Sequence, residues 1–322
     1  MTRPRMLVTG GTGLVGGAVV SQALFDSTWE VRASVRSHAP DHAGVEQVLV
    51  GDLSAQTDWL HAVTGVDTVI HTAARAHIMH DLKADPLAEY RRVNVEGTLN
   101  LARQAIDAGV RRFIFISSIK VNGEHTQSRP YTADDTPAPV DPYGISKLEA
   151  EEGLRHMASV SGLEVVIIRP VLIYGPGVKA NFLTMMRWLD RGVPLPLAAI
   201  NNRRSLVALE NLVDLLLTCA RHPAAANQTF LVSDDEDLST PALLQRLSHA
   251  LGRPAKLIPV PAVLLTAITQ VLGQHDAVRR LCGSLQVDIS KTRQLLSWAP
   301  PVSVDTALKR TAQHFLANLD RC

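Results

Sequence analysis

Residues 9–16 read TGGTGLVG and follow directly after the apolar segment Met6–Val8. A segment with helical spacing of its apolar residues, Val15–Leu24, begins where this stretch ends. Glycines at such a strand-to-helix turn let the chain bend tightly and let a pyrophosphate approach the backbone N–H groups at the helix start. The stretch therefore predicts a dinucleotide-binding turn, in which the residues that contact the cofactor are Gly10, Gly13, Leu14, Val15 and Gly16.

Around this turn, β-rich apolar segments alternate with helical segments through the first half of the chain. Such alternation is typical of a parallel sheet with crossover helices. It predicts an α/β fold with a Rossmann-type doubly wound parallel sheet. The predicted strands are Met6–Thr9, Glu30–Val35, Gln47–Val50, Thr68–His71, Arg112–Ser117 and Val165–Ile168, and the predicted helices include Val15–Leu24, Tyr90–Asp107 and Tyr143–Ala158.

Prolines interrupt the chain at short intervals from Pro170 onward. We therefore expect an NAD(P)-binding domain over residues 1–171, which the chain re-enters at about residues 205–233, and a smaller C-terminal substrate lobe over residues 172–322. Apolar residues recur at helical spacing over Val260–Leu272. This pattern favours packing within the C-terminal lobe, and contact of the segment with a membrane or a partner protein is the alternative.

The overall charge limits the classes of function. The chain has 32 basic and 31 acidic side chains, so it lacks the basic excess that a protein needs to bind along a nucleic acid. Its start lacks a signal-peptide pattern, and no uninterrupted apolar run is long enough to span a bilayer. We therefore expect a cytoplasmic protein without stable membrane insertion.

The cysteines and two histidines give no sign of a metal site. Cys219, Cys282 and Cys322 are widely separated, as expected of free thiols in a reducing compartment. His77 and His80 have a spacing that occurs in metal sites, but no acid, cysteine or third histidine nearby in the sequence completes a ligand set. We expect no metal.

The second predicted strand bears on the choice of cofactor. NAD-binding enzymes place an acid near the end of this strand, where it holds the ribose 2′-hydroxyl. Here the strand ends in Ser34-Val35-Arg36, in which the serine can donate a hydrogen bond and the arginine can pair with a 2′-phosphate. The sequence therefore favours NADP(H), with NAD(H) as the alternative. Asp52 and Leu53 follow the third strand and are placed to reach the adenine.

Tyr143 and Lys147 are four residues apart and so share one face of a predicted helix. A free phenol titrates near pH 10 and transfers protons poorly at neutral pH, whereas a nearby positive charge stabilises the phenolate. We expect the lysine, together with the positive nicotinamide of an oxidised cofactor, to make the tyrosine an acid–base group. Ser117 and Ser118 come at the end of the preceding predicted strand.

These motifs occur in the order of the glycine turn, Asn94 in the segment VNVEGT, Ser118, and then Tyr143 with Lys147. In this order they resemble the extended short-chain dehydrogenase/reductase family, which includes sugar-nucleotide epimerases, dehydratases and reductases. The resemblance implies that Tyr143 is the acid–base, that Lys147 binds the nicotinamide ribose, and that Ser118 hydrogen-bonds the reacting oxygen. It also implies that the residues beside the cofactor include Ala73, Ala74, Asn94, Pro170 and Ile173.

The same resemblance implies a UDP-sugar substrate and is compatible with a homodimer. Asn181 and Arg204 resemble ligands of the nucleotide diphosphate, to which the fork of an arginine is suited. Leu172 stands where many members have an asparagine that contacts the diphosphate, so this contact must be made elsewhere. The candidate substrate-binding residues are Arg75, Ser118, Lys120, Asn122, Asn181 and Arg204.

Three reactions in this family use the same machinery. Dehydratases usually carry Asp-Glu after the catalytic serine or threonine, whereas Ile119-Lys120 follow Ser118 here, which disfavours dehydration. The second strand, and a narrower resemblance of residues 116–123 and 141–147 to bacterial surface-polysaccharide proteins, favour NADPH-dependent reduction of a UDP-4-keto-6-deoxy-N-acetylhexosamine. NAD-dependent 4-epimerisation of a UDP-hexose or UDP-N-acetylhexosamine is the alternative, although many epimerases have tyrosine where Asn122 stands. Reduction of a non-sugar ketone is a second alternative.

Overall fold

A computed structural model describes residues 3–37, 44–75, 85–261 and 281–319 of the chain. Its strands are β1 (Arg5–Thr9), β2 (Glu30–Val35), β3 (Val45–Leu49), β4 (Thr68–His71), β5 (Arg112–Ile116), β6 (Glu164–Pro170), β7 (Leu172–Tyr174), β8 (Arg204–Ala208), β9 (Thr229–Val232) and β10 (Asp237–Leu238). Its helices are α1 (Leu14–Asp26), α2 (Leu60–Val63), α3 (Pro86–Tyr90), α4 (Thr98–Asp107), α5 (Pro142–Val160), α6 (Ala180–Asp190), α7 (Leu209–Arg221), α8 (Thr240–Ala250), α9 (Ser290–Leu296) and α10 (Val304–Ala317). A π-helical segment, Arg91–Gly97, joins α3 to α4, and short 3-10 turns lie at Ile119–Val121 and Pro223–Ala225.

Seven strands form one sheet in the order β3-β2-β1-β4-β5-β6-β9, and all of the neighbouring pairs are parallel. Parallel neighbours require crossover connections, and α1, α2, α4 and α5 lie between successive strands of the first half. The predicted Rossmann-type parallel sheet is therefore confirmed. The strand order reverses between β1 and β4, so a crevice for a ligand lies beyond the carboxyl ends of these two strands.

The large sheet is buried on both faces, which explains why its strands are apolar at consecutive positions. In β1, Met6 packs on one face with Val19 of α1 and Leu212 of α7. Leu7 packs on the opposite face with Leu101 of α4. Because apolar burial holds helices on both sides, the residues that follow the strands at their carboxyl ends are fixed in position.

The predicted helix Tyr90–Asp107 is divided in the structure. It consists of the end of α3, the π-helical segment and α4. The segment ends at Gly97, where an added Cβ would lie 2.7 Å from Leu53 Cγ, so the helix contacts the chain after β3 closely. π-Helical segments occur often at functional sites, and this one contains the buried side chain of Asn94.

A second, smaller sheet has the order β10-β8-β7, in which β8 is parallel to β7 and antiparallel to β10. Tyr174 of β7 donates from Oη to Asp234 Oδ2 at 2.8 Å, and Asp234 follows β9 of the large sheet. The same buried carboxylate accepts hydrogen bonds from the backbone of Ala208 at 2.8 Å and from Asn211 Nδ2 at 2.7 Å. This carboxylate therefore joins the two sheets.

The second half of the chain contributes strands to both sheets. It re-enters the large sheet as β9, whereas β8 belongs to the small one. The division into domains at residues 171 and 172 stays a prediction. The apolar stripe predicted over Val260–Leu272 lies outside the described residues from position 262 onward. Within the part of the chain that the structure describes, no helix combines the length and the apolar character needed to cross a membrane.

Candidate active site

The turn after β1 is tightly closed. Gly10 has a φ of +67°, and the N–H of Gly13 donates to the carbonyl oxygen of Gly10 at 2.8 Å. A Cβ on Gly16 would lie 2.2 Å from that carbonyl oxygen, so α1 packs this closely only with glycine there. Gly13, which precedes α1, has no side chain that could accept a hydrogen bond from the first turn of the helix. The N–H groups of Leu14 and Val15 therefore have no side-chain cap. A helix start of this kind fits the pyrophosphate of a dinucleotide.

A buried histidine joins the ends of β1 and β4 beside this turn. His71 Nδ1 lies 2.7 Å from Thr9 Oγ1, and His71 Nε2 lies 2.9 Å from Thr98 Oγ1. Thr9 Oγ1 also accepts hydrogen bonds, at 3.2 Å each, from the backbone N–H groups of the two residues after His71. Burial, together with the positive charge of Lys147, lowers the pKa of His71 to about 3, so the ring is neutral. The ring therefore fixes the turn that contains Ala73 and Ala74 against the glycine turn.

The end of β2 presents one exposed arginine. Ser34 is buried, and Arg36 is exposed. Arg32 of the same strand is buried and used by the fold, because its guanidinium pairs with Glu46 at 2.9 Å and donates to three backbone carbonyl oxygens of residues 61–64 at 2.9 to 3.0 Å. Of the two arginines, only Arg36 is therefore available to a 2′-phosphate.

The other residues predicted beside the cofactor lie after strands of the two sheets. Asp52 is exposed, and Leu53 is half-buried and faces Gly97. Pro170 is buried at the end of β6, and Ile173 is half-buried in β7. Their contacts with a cofactor stay predictions.

The N-terminal turns of α5 carry the predicted acid–base pair. Asp141 caps the helix by accepting a hydrogen bond from the N–H of Gly144 at 2.7 Å. Lys147 is buried, and its Nζ donates to the carbonyl oxygen of Ile116, at the end of β5, at 2.8 Å. The same Nζ lies 5.9 Å from the centre of the half-buried Tyr143 ring. The strand therefore holds the lysine one helical turn from the phenol.

Ser118 lies directly after β5 and caps the turn Ile119–Val121, where its Oγ accepts a hydrogen bond from the N–H of Lys120 at 3.2 Å. The carbonyl oxygen of Lys120 lies against α5, because a Cβ on Gly144 would be only 2.9 Å from it. Since Gly144 follows Tyr143, the turn that carries Ser118 packs on the helical turn that carries the phenol. The fold thereby brings Ser118, Tyr143 and Lys147 together.

The pKa shifts in this site differ from the simple expectation that Lys147 lowers the pKa of Tyr143. Burial, with the nearby Asp141 carboxylate and Tyr90, raises the pKa of Tyr143 above its ordinary value. Burial lowers the pKa of Lys147 to about 7, although the Glu151 carboxylate opposes this change. Without a cofactor, the protein therefore keeps the proton on Tyr143 Oη and weakens the positive charge of the lysine.

Asn94 connects two parts of the site. Its Oδ1 accepts a hydrogen bond from the N–H of Arg75 at 2.8 Å, and its Nδ2 donates to the carbonyl oxygen of Arg75 at 3.1 Å and to Ser146 Oγ at 3.1 Å. Ser146 Oγ in turn donates to the carbonyl oxygen of Tyr143 at 2.8 Å. Asn94 therefore braces the chain after β4 against the N-terminal turns of α5.

The two predicted diphosphate ligands belong to the second half of the chain. Asn181 is exposed in the first turn of α6. Arg204 is half-buried at the start of β8, where its Nη1 donates to the carbonyl oxygen of Gly283 at 3.2 Å. Leu172, at the start of β7, is 45% exposed and offers no hydrogen bond from its side chain.

Two other predicted substrate residues are already bonded within the protein. Lys120 forms ion pairs with Asp141 and Glu124. Asn122 is 2% exposed, its Oδ1 accepts a hydrogen bond from Arg169 Nη1 at 3.0 Å, and its Nδ2 donates to a backbone carbonyl oxygen at 3.0 Å. This geometry is that of a bracing residue, and contact of Asn122 with substrate stays a prediction.

Sequence reasoning did not identify Glu151, Arg169 or His71, all of which are buried beside the site. Glu151 lies four residues after Lys147, so its place on the same helix face was visible in the sequence. Its contact with Arg169 joins residues 18 positions apart on different elements, and no local pattern shows such a contact.

The sequence predicts no metal site, and some of the residues that this prediction concerns lie outside the described part of the chain. His77 and His80 lie outside the described residues. Among the residues that the structure does describe, there is no group of three or more histidine, cysteine, aspartate and glutamate side chains that could hold a metal ion.

The sequence pattern of the NAD dependent epimerase/dehydratase family matches residues 6–233, from β1 to just past β9. The chain belongs to this family. The resemblance to extended short-chain dehydrogenase/reductases, which rests on the glycine turn, Ser118, Tyr143 and Lys147, is confirmed, and this member of the epimerase/dehydratase family is an enzyme.

Relatives of this family member match it over nearly its whole length. It is 50% identical to the UDP-glucose 4-epimerase of Vibrio cholerae over 97% of this chain and 95% of that protein. It is 26% identical to the N-acetyl-alpha-D-glucosaminyl-diphospho-ditrans,octacis-undecaprenol 4-epimerase of Escherichia coli O157:H7, over 96% of this chain and 94% of that protein. Among solved structures, the UDP-glucuronic acid 4-epimerase of Bacillus cereus in complex with NAD has the same fold, with a TM-score of 0.78, 18% identity, and coverage of 97% of this chain and 99% of that one.

Gly16→Ala tests the cofactor turn. The added Cβ would lie 2.2 Å from the Gly10 carbonyl oxygen and 2.7 Å from Thr72 Oγ1, so the turn must open. We expect the affinity for NAD(H) to fall by about tenfold or more, measured by isothermal titration. Gly162→Ala is the control, because a Cβ there meets nothing within 4 Å. Equal affinities in Gly16→Ala and the wild type would contradict this role of the turn.

His71→Asn tests the histidine that joins β1 to β4. The folded pKa of about 3 lies below the ordinary 6.5, so the unfolded chain binds more protons between these pH values and His71 makes stability fall as the pH drops through this range. We expect His71→Asn to be less stable at pH 7 but to lose less further stability between pH 6.5 and pH 4. Urea unfolding at several pH values measures both. Parallel losses in the two proteins would show that another group is responsible.

Proposed function

We propose that this enzyme interconverts the C4 epimers of a UDP-hexose or UDP-N-acetylhexosamine with NAD as its retained cofactor. The observation that carries the proposal is the 50% identity to the Vibrio cholerae UDP-glucose 4-epimerase over 97% of the chain. A match of this length includes both the cofactor sheet and the C-terminal elements. It supports 4-epimerisation ahead of the 4-keto reduction that the second strand favours.

The nicotinamide, when bound, supplies the acceptor and donor of a hydride at C4 of the sugar. In the oxidation half, Tyr143 takes the proton of the 4-hydroxyl while Ser118 holds that oxygen by a hydrogen bond. In the reduction half, Tyr143 returns the proton as negative charge develops on O4, and the Ser118 hydrogen bond stabilises that charge. Lys147 holds the nicotinamide ribose and keeps its ammonium near the phenol.

The raised pKa of Tyr143 fits this cycle. Burial and the Asp141 carboxylate keep the proton on Oη in the protein alone. A positive charge placed next to the phenol lowers its pKa, so Tyr143 acts as a base toward the 4-hydroxyl only while an oxidised nicotinamide is present.

For the UDP part of the substrate, we assign the diphosphate to Asn181 and Arg204. Asn181 is exposed at the start of α6, and Arg204 has an always-charged guanidinium in a half-buried position. The exposed Leu172 adds an apolar surface without a hydrogen bond. The diphosphate charge is therefore neutralised mainly by Arg204.

The purified enzyme, incubated with UDP-glucose or UDP-N-acetylglucosamine without added cofactor, tests the proposal. We expect a mixture of the two C4 epimers, identified by NMR of the anomeric protons. The proposal is wrong if neither sugar is converted and the enzyme instead consumes NADPH with a UDP-4-keto-6-deoxy-N-acetylhexosamine.

Tyr143→Phe removes the proton donor and acceptor while it keeps the ring. We expect turnover to fall by about 10²- to 10⁴-fold, whereas cofactor affinity stays nearly the same, because general acid–base catalysis contributes about this much. Ser118→Ala should lie between this variant and the wild type, since it loses one hydrogen bond and no proton donor. Near-normal epimerisation by Tyr143→Phe would show that another group moves the proton.

NADPH-dependent 4-keto reduction is the second candidate function. The observation that favours it is the end of β2, where no acid stands to hold a ribose 2′-hydroxyl and Arg36 is exposed. Such an end does not repel a 2′-phosphate. A reductase must exchange its cofactor in every cycle, so NADPH would bind reversibly.

Arg36→Asp separates the two candidates. If Arg36 binds a 2′-phosphate, the substitution replaces an attraction with a repulsion, and the ratio of NADPH to NADH affinity should fall by about tenfold or more. Fluorescence titration with each cofactor measures the ratio in the variant and the wild type. An unchanged ratio would show that Arg36 is a solvated residue, and this result would leave epimerisation with NAD as the better supported reaction.

A further inference from the structure

A buried carboxylate lies one helical turn beyond the catalytic lysine. Glu151 of α5 is 0% exposed. Its Oε1 accepts hydrogen bonds from Ser117 Oγ at 2.5 Å and from Arg169 Nε at 2.9 Å. Its Oε2 accepts from Arg169 Nη2 at 2.6 Å and from Arg155 Nη2 at 2.9 Å. Four donors therefore satisfy the oxygens of this buried carboxylate.

These bonds reach the strand end that carries Ser118. Lys147 Nζ holds the carbonyl oxygen of Ile116, and Glu151 holds the hydroxyl of Ser117, which is the next residue. Arg169, at the end of β6, extends the network to the turn after Ser118 through Asn122 Oδ1 at 3.0 Å. Consecutive residues of the strand end are therefore fixed by successive turns of α5.

Glu151 also provides negative charge near Lys147. Among the described residues, Glu151 is the acidic side chain that pairs with the buried guanidinium of Arg169, so loss of its charge would leave that guanidinium without this anionic partner. Within the part of the chain that the structure describes, other ionisable groups on α5 and on the elements packed against it include Tyr143 and Arg155 on α5 itself, Glu149 paired with Arg91, Tyr90 on α3 with the Arg75 guanidinium 5.5 Å from its ring centre, the neutral His71 on β4, Lys120 paired with Asp141 beside the 3-10 turn, and the exposed Arg92, Glu96, Arg103 and Asp107 of the π-helical segment and α4.

We propose that Glu151 is a positioning residue of this enzyme, whose buried negative charge keeps Lys147 protonated and holds the end of β5 so that Ser118 stands opposite Tyr143. Burial lowers the pKa of Lys147 to about 7, and the Glu151 carboxylate acts against that change. Removal of the carboxylate charge therefore shifts the lysine toward its neutral form at neutral pH. The inference rests on the cofactor-binding role proposed for Lys147.

The experiment measures NADH affinity against pH by fluorescence titration, which needs no sugar substrate. We expect NADH binding by the wild type to weaken as the pH rises through the titration of Lys147. In Glu151→Gln, which keeps the shape and removes the charge, the midpoint of this loss should move to lower pH by about one unit. Glu151→Asp retains the charge and should keep the midpoint near that of the wild type. Arg155→Gln is the matched control, because Arg155 bonds the same carboxylate from a partly exposed position.

A merely structural role predicts a different result. Loss of packing would weaken NADH binding in Glu151→Gln by one factor at all pH values and would leave the midpoint unchanged, which overturns the proposal. A midpoint that moves equally in Glu151→Asp or in Arg155→Gln also overturns it. If NADH binding by the wild type does not depend on pH, Lys147 does not bind the cofactor as proposed, and this inference is wrong. The 4-epimerase assay tests the proposed reaction separately.

Thermal unfolding of each variant shows whether it folds. If Glu151→Gln does not fold, Ser117→Ala provides the second test, since it removes one hydrogen bond to the carboxylate and leaves no buried charge unpaired. For Ser117→Ala we expect slower turnover by about three- to tenfold with an unchanged pH midpoint and unchanged NADH affinity, because only the Ser118 side of the network is released. Wild-type turnover in Ser117→Ala would overturn the positioning of Ser118 by Glu151.

Discussion

The active site depends on the attachment of α5 to the carboxyl end of β5. A parallel sheet buried on both faces fixes where β5 ends, and the Lys147 ammonium then bonds the last carbonyl oxygen of that strand. The close contact of Gly144 with the Lys120 carbonyl oxygen brings the next turn of chain onto the helix. A side chain at position 144 would separate the two elements, and the hydroxyl of Ser118 and the phenol of Tyr143 would no longer share one space.

Much of this arrangement could be predicted from the sequence. The glycine turn, the apolar strands and the four-residue spacing of Tyr143 and Lys147 are local patterns, and local patterns report helices, strands and tight turns well. The predicted strands lie within two residues of the observed ones at each end. The π-helical segment within the predicted helix Tyr90–Asp107 was not predicted; it ends at Gly97, which lies against Leu53, and no local pattern shows this tertiary contact.

What the sequence could not supply is the set of bonds between elements. Arg32 lies within β2 and Arg36 directly follows it, yet the fold uses Arg32 to bond backbone carbonyl oxygens of residues 61–64 and leaves Arg36 exposed. Asn122 follows Ser118 closely and looked like a substrate contact, but Arg169 reaches it from another strand. The expected effect of Lys147 on Tyr143 also needed the structure, since burial of both groups opposes the effect of their proximity.

The neutral imidazole of His71 also affects how the different parts of the site respond to pH. Because this ring ties together the turns after β1 and β4 with a pKa of about 3, its hydrogen bonds do not change through its own protonation at pH values well above 3. The N-terminal half of α5, where burial lowers the pKa of Lys147 to about 7, is the opposite kind of element. The turn that would receive the pyrophosphate is thus insulated from proton concentration, whereas the lysine that we propose holds the nicotinamide ribose remains responsive to it.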